Sequence, residues 1–81
     1  MERRKHWWNG TTDRPARRDV LMFEDGGRWW VQLRGGEGHR LVRRDELPDE
    51  DLALDCARDM ITASGHDGWV ELPVVTMAGQ P

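Results

Sequence analysis

Apolar and polar residues alternate most strictly between Arg28 and Arg34. Trp29, Val31 and Leu33 occupy one set of alternate positions, and the other set carries Arg28, Trp30, Gln32 and Arg34. A period of two is typical of a β-strand with one buried face. We therefore predict that this segment is the central strand of a three-stranded antiparallel meander, with its apolar side facing the core.

Two neighbouring segments complete the predicted meander. Residues 20–23 form a short apolar run, and residues 39–44 form a less regular strand that ends in basic residues. Turn residues separate both from the central strand, at Asp25-Gly26-Gly27 and at residues 35–38. Glycine-rich connections of this length favour β-hairpins.

One amphipathic helix is predicted after the meander. Residues 45–50 resemble a helix start, because they combine acidic residues with a proline. Apolar residues then recur at helical spacing and predict one buried face: Leu52, Ala53, Cys56, Ala57, Met60 and Ile61. Gly65 ends this helix, and residues 69–72 predict a short fourth strand. The order β-β-β-α-β predicts a small two-layer α+β domain, with the helix packed on the Trp29 side of the sheet.

The two ends of the chain lack such patterns. Residues 1–18 are predicted to be a flexible basic arm, residues 19–73 the single domain, and residues 74–81 a C-terminal tail. Two interpretations of the arm remain open. It could follow phosphates and stack on bases, or its tryptophans could fold back onto the domain. The arm residues in question are Arg3, Arg4, Lys5, Trp7 and Trp8.

Charge is distributed unevenly along the 81 residues. The chain carries 12 basic and 15 acidic residues, a net charge of −3. Residues 1–44 hold 11 bases and 6 acids, a net of +5, whereas residues 45–81 hold 1 base and 9 acids, a net of −8. Such a division indicates either internal charge matching or two surfaces of opposite sign.

No residue spacing in the sequence indicates catalysis or a cofactor. His39, His66 and Cys56 are isolated from one another and lack the short spacings of metal ligands. We therefore expect a protein that is not an enzyme and binds no metal or cofactor. A single cysteine excludes an intrachain disulfide. Without an apolar leader or a membrane span, we expect a cytoplasmic protein that does not bind membranes.

The outward side of the predicted sheet is the main indication of function. No second helix is available to cover it, and an uncovered face with aromatic residues is expected to bind a partner. Our first hypothesis is a regulatory module that binds nucleic acid, DNA or RNA, helped by the basic arm. The alternative is protein–protein interaction through the same face, as a homodimer or an antitoxin-like partner. The candidate contacts are Arg28, Trp30, Gln32, Arg34, Arg40 and Trp69, the last if Val70 and Leu72 point inward.

Arg28, Trp30, Gln32 and Arg34 on one strand of a meander backed by a helix also suggest a family resemblance. The arrangement resembles the DNA-binding domain of certain plant transcription factors and the arm-binding domain of tyrosine-type integrases. Those domains lay the sheet in the DNA major groove. The fourth strand after the helix departs from the plant pattern and is more similar to the HicB-type antitoxin partner domain, whose sequence signature is missing here.

Overall fold

The computed structural model describes residues 1–65 and 68–74. The elements in chain order are β1 (Glu2–Trp8), β2 (Arg18–Asp25), β3 (Arg28–Gly35), β4 (Arg40–Leu47), α1 (Glu50–Ala63) and β5 (Val70–Leu72). All strand pairs are antiparallel, and the strand order across the sheet is β4-β3-β2-β1-β5. The predicted α+β class is confirmed, while the sheet has five strands where four were predicted.

The meander and its helix follow the alternation in the sequence. Val20 pairs with Leu33 and Met22 pairs with Val31, so the apolar positions of β2 and β3 lie on one face. The helix packs on that face and buries Ala53, Cys56, Ala57 and Met60 against it. Trp29 completes this core, which we call the helix-covered face.

The prediction of an N-terminal arm is wrong. Residues 2–8 form β1, which lies between β2 and β5 inside the sheet. Trp7 faces the helix side and packs against the core, in register with Val20. The folded unit therefore begins at residue 2 and not at residue 19. Of the predicted C-terminal tail, residues 75–81 lie outside the described residues.

The helix starts later than the acidic segment suggested. Asp45 and Glu46 belong to β4, and Asp49 is the N-cap, accepting a 2.9 Å hydrogen bond from the Leu52 amide. Leu52 was predicted to lie on the apolar face but is 45% exposed, whereas its neighbour Ala53 is fully buried. Gly65, at φ +83°, follows the helix end as predicted.

Within the described residues, no helix is long and apolar enough to cross a membrane. The same residues contain no group of three or more side chains arranged to hold a metal ion.

Candidate nucleic-acid interface on the open sheet face

The second face of the sheet is not covered by the helix, and we call it the open face. Strand registers arrange its side chains in three rows across the sheet. The first row contains Glu46, Trp30, Phe23 and Arg3. The second row contains Arg44, Gln32, Leu21, His6 and Leu72. The third row contains Leu41, Arg34, Asp19, Trp8 and Val70.

Each of three aromatic rings on this face has an arginine above it. The guanidinium carbon of Arg3 lies 5.9 Å from the centre of the Phe23 ring, and that of Arg44 lies 5.9 Å from the Trp30 ring. Arg17, just before β2, lies 5.2 Å from the Trp8 ring. Phe23 and Trp30 are paired residues on adjacent strands, so their rings are neighbours. Cation–π attraction favours these positions for the arginines.

The four predicted contacts of β3 are all on the open face, but their side chains differ in how freely they can meet a ligand. Trp30 is half-buried, and Arg28 is exposed with an ion pair to Glu46 at 3.2 Å. Gln32 is buried, with 8% of its surface exposed. Arg34 donates hydrogen bonds to the Gln32 side chain at 3.3 Å and to the His39 carbonyl at 3.2 Å. Trp30 and Arg28 are thus better placed to meet a ligand than Gln32 and Arg34.

Arg40 and Trp69 lie away from the open face, which corrects their assignment to the same contact surface. Arg40 pairs with Gly35, whose position in β3 alternates with that of Arg34, so it belongs to the other face. Trp69 packs against the core, and its indole N–H donates to the Gly65 carbonyl. Val70, its neighbour in β5, lies on the open face instead.

The predicted arm residues are divided between the two faces. Arg3 and Trp8 lie on the open face. Lys5 lies on the helix side, where it forms an ion pair with Glu71 at 3.3 Å. Arg4 lies at the bulge in β1, with its guanidinium 5.7 Å from the Trp29 ring.

A buried carboxylate cluster in the third row was not predicted. Asp19 is fully buried, and its Oδ2 lies 2.6 Å from His6 Nε2. Arg17 donates to both carboxylate oxygens, from Nε at 2.8 Å and from Nη2 at 3.1 Å. His39 Nε2 lies 3.2 Å from Oδ1. We call these four residues the Asp19 cluster.

The cluster keeps its carboxylate ionised. Burial by itself would raise the pKa of Asp19, but the hydrogen bonds from Arg17 and His6 outweigh burial, and the charges of Arg17 and His39 act in the same direction. The net effect is a pKa below the ordinary aspartate value. The same hydrogen bond to Asp19 raises the pKa of Arg17.

Sequence reasoning missed this cluster because His6 and His39 come close to Asp19 only in the folded sheet. His6 is 13 residues from Asp19 along the chain, and it reaches the carboxylate only because β1 pairs with β2. Asp19 stood at the predicted domain boundary, outside the predicted first strand. The available signal was a charged residue directly before an apolar run.

A cavity of about 390 Å³ adjoins the Asp19 cluster. Its walls come from the 9–17 connection and from the β3–β4 turn, and they contain Arg14, Arg17, Gly36, Gly38 and His39. The cavity shares Arg17 and His39 with the cluster. It is therefore a basic pocket at the Trp8 end of the open face.

The open face and the exposed side of helix α1 carry opposite charge. Five arginines lie on or beside the open face, against three carboxylates of which one is the buried Asp19: Arg3, Arg17, Arg28, Arg34 and Arg44 against Asp19, Asp25 and Glu46. The exposed side of the helix has the reverse balance: Glu50, Asp51, Asp55 and Asp59 with the single base Arg58. The open face and the exposed side of the helix therefore differ in sign, although Lys5, Arg18, Arg40 and Arg43 lie on the helix side of the sheet.

Comparisons of the chain with protein families, with curated proteins and with solved structures find no match.

Proposed function

We propose that the protein is a non-enzymatic module that binds single-stranded nucleic acid on the open face. The observation that carries the proposal is the pairing of Phe23 with Trp30 on adjacent strands, with Arg3 and Arg44 above the rings. Exposed bases stack on aromatic side chains with little sequence preference, and arginine contributes both charge and cation–π contacts. An uncovered antiparallel sheet with neighbouring rings is a common platform for such stacking.

The availability of side chains favours a single strand over a duplex. Reading a duplex in the major groove needs polar side chains that extend to the base edges. Gln32 is buried and Arg34 is held by Gln32 and His39, so the polar residues of β3 are poorly placed for that role. Trp30 instead remains partly exposed beside Arg44.

Charge supports the same proposal. The net charge of −3 would repel nucleic acid if it were spread evenly. The acids instead concentrate on the exposed surface of the helix, and the open face carries an excess of arginines. Phosphates can then approach the sheet while the acidic helix faces away.

A homodimer is the second candidate, and the edge strand β4 favours it. Leu41 and Val42 of this strand are 46% and 60% exposed, which is unusual for neighbouring apolar residues. An apolar contact between copies would be nearly insensitive to salt, whereas phosphate contacts weaken steeply as salt rises. Solution mass by light scattering, together with a salt titration of nucleic-acid affinity, separates the two candidates.

The test of the proposal measures fluorescence anisotropy of labelled single-stranded RNA, single-stranded DNA and duplex DNA at about 50 and 200 mM salt. We expect the single strands to bind more tightly than the duplex. Trp30→Ala and Phe23→Ala should each weaken binding by about 1–3 kcal/mol, the usual loss for one base–aromatic stack.

Arg44→Ala and Arg58→Ala form a matched pair for the charge contribution. Both remove one arginine, but Arg44 lies on the open face, and Arg58 lies on the helix side with 75% of its side chain exposed. Arg44→Ala should reduce the salt slope by about 0.7, the value for one phosphate contact with a single strand, and Arg58→Ala should leave it unchanged. Failure of the wild type to bind any of the three nucleic acids at about 50 mM salt would refute the proposal.

A further inference from the structure

We infer that the basic pocket beside the Asp19 cluster is a binding site for a phosphate group. The inference rests on the proposed function in one respect, namely that the phosphate belongs to a nucleic acid lying on the open face. The pocket itself consists of two arginines, one histidine and two glycines around a cavity of about 390 Å³.

Arg17 is oriented so that part of its guanidinium remains available. Its hydrogen bonds to Asp19 use Nε and Nη2, and among the described residues Nη1 has no hydrogen-bond partner. The side chain is 40% exposed although its carboxylate partner is fully buried. A planar guanidinium fixed on one edge by a carboxylate is preorganised to donate to an oxyanion on another edge.

His39 has a backbone conformation that side chains other than glycine seldom adopt. Its φ is +53°, and it is the single positive-φ residue other than glycine among residues 1–65 and 68–74. Such a conformation is unfavourable for residues other than glycine and tends to occur at functional sites. His39 also lines the pocket, and its imidazole Nε2 lies 3.2 Å from Asp19 Oδ1. Gly36 and Gly38, also at positive φ, leave the same turn without side chains beside the cavity.

The charge of the pocket selects the class of ligand. The described lining of the cavity contains two guanidinium groups, those of Arg14 and Arg17, and no carboxylate, because Asp19 lies behind Arg17 and Glu37 is not part of the lining. A metal cation would be repelled, and an apolar ligand would leave the guanidinium groups unsolvated. Phosphate oxygens match the guanidinium donors in both charge and geometry.

The position of the pocket connects it with the stacking surface. Trp8 lies under Arg17, and its indole N–H donates to the Thr11 carbonyl at 3.0 Å, which ties the 9–17 connection to the sheet. Asp19 is four residues from Phe23 along β2, which places the pocket roughly 13 Å from the Phe23–Trp30 pair at the usual strand rise. One strand of nucleic acid could therefore stack on the rings and place a phosphate in the pocket.

The first arm of the test titrates inorganic phosphate alone into the protein, starting from a phosphate-free buffer, and follows binding by NMR. We expect saturable shifts of the Gly36 and Gly38 amides, the His39 ring and the Arg17 Nε–H group. His39→Asn removes the imidazole yet tolerates a positive φ. This variant and Arg14→Ala should each weaken phosphate binding, while Arg58→Ala should not. Circular dichroism checks that each variant is folded.

The second arm compares an oligonucleotide that carries a 5′-phosphate with the same oligonucleotide ending in a hydroxyl. If the pocket takes a terminal phosphate, the phosphorylated form should bind about tenfold more tightly, and the pocket variants should abolish the difference. If it takes a phosphate within the backbone, both forms should bind equally and both should be weakened by the pocket variants. Either result supports the inference.

Two further results distinguish the inference from the proposed function. Phosphate binding in the pocket without binding of any oligonucleotide would support the pocket and refute the proposed function. Oligonucleotide binding that the pocket variants leave unchanged, without phosphate-induced shifts, would overturn the inference and assign the Asp19 cluster a structural role only.

Discussion

The two faces of the sheet exclude water by different means. The helix-covered face is apolar and is buried by α1, with Val20, Met22 and Val31 fully inaccessible. The open face has no helix over it, yet Leu21 is only 3% exposed and Gln32 only 8%. Both belong to the second row, which lies between the rows that contain Trp30, Phe23 and Trp8. The open face, over which the described residues place no helix, therefore still contains a buried centre.

Trp29 and Trp30 provide the strongest contrast between the faces, because they are neighbours in sequence. Trp29→Ala should destabilise the protein by about 3–5 kcal/mol, the usual range for truncating a buried aromatic residue. Trp30→Ala should cost much less, since its ring remains partly exposed. Urea unfolding followed by circular dichroism measures both values. Equal losses for the two variants would show that the two faces contribute equally to stability.

Asp19→Asn tests whether the polar cluster of the open face stabilises the fold. We expect a loss of about 2–3 kcal/mol at neutral pH, because the substitution removes charge-assisted hydrogen bonds from a fully buried position. Arg17 and His39 remain partly exposed, which keeps the loss below that of an isolated buried charge.

The pH dependence of this variant has a defined sign. The pKa of Asp19 is lowered in the folded protein, so its contribution is fully present above the ordinary aspartate pKa. That contribution disappears as the pH falls through the lowered value. The difference in unfolding free energy between wild type and Asp19→Asn should therefore be largest near neutral pH and should disappear in strong acid. A difference in unfolding free energy that does not change with pH would mean that the substitution acts through packing alone.

The reactivity of Cys56 tests how well the helix-covered face excludes water. Burial, followed by the hydrogen bond that its thiol donates to Asp45 at 3.3 Å, raises its pKa from 9.0 to about 11. The thiolate fraction at pH 8 should be roughly 100-fold below that of the unfolded chain, and alkylation of the folded protein should be markedly slower. Stability should also fall as the pH rises from 9 to 11, because the unfolded state loses the thiol proton first.

Iodoacetamide labelling followed by mass spectrometry measures the alkylation rate in native buffer and in denaturant. Asp45→Asn is the control, because it removes the negative charge that adds to the pKa shift while leaving Cys56 in place. It should accelerate labelling of the folded protein. Equal alkylation rates for the folded and the unfolded wild type would contradict the exclusion of water from the Cys56 thiol.

The Arg28–Glu46 ion pair should have the smallest effect. The two side chains are 71% and 49% exposed on the open face, and exposed pairs contribute roughly 0–1 kcal/mol. Arg28→Ala should therefore change the unfolding free energy by less than about 0.5 kcal/mol in urea titrations, with any difference reduced further by salt. A loss comparable with that of Asp19→Asn would mean that surface charges on this face act as a network.

The sequence was sufficient to predict the parts of the fold that depend on local pattern. Alternation in β3 placed Trp29 in the core and Trp30 on the other face, and the glycine turns placed the neighbouring strands. The helix periodicity identified Cys56 and Met60 as buried. Each of these inferences needs only residues close in sequence and one apolar face.

The parts that were missed depend on contacts between distant segments. In β1, Trp7 is the apolar residue packed against the core while Lys5 on the same side reaches solvent, so the strand shows no clear alternation. Without β1, the pairing that brings His6 to Asp19 could not be foreseen. The helix start was placed too early because Asp45 and Asp49 offer the same local signal. Only the extent of β4 distinguishes them.

The pairing of β1 with β5 also constrains the order of folding. Lys5 and Glu71 are 66 residues apart along the chain, and closing a loop of that length costs roughly 3.7 kcal/mol of chain entropy. A three-residue strand cannot offset such a cost before the remaining sheet exists. The hairpins between β2, β3 and β4 close much shorter loops and can form first, with β5 added last. Local opening of β5 should therefore demand the least free energy of any strand in the sheet. Such an opening would remove Val70 and Leu72 from the open face while β2 and β3 remain paired.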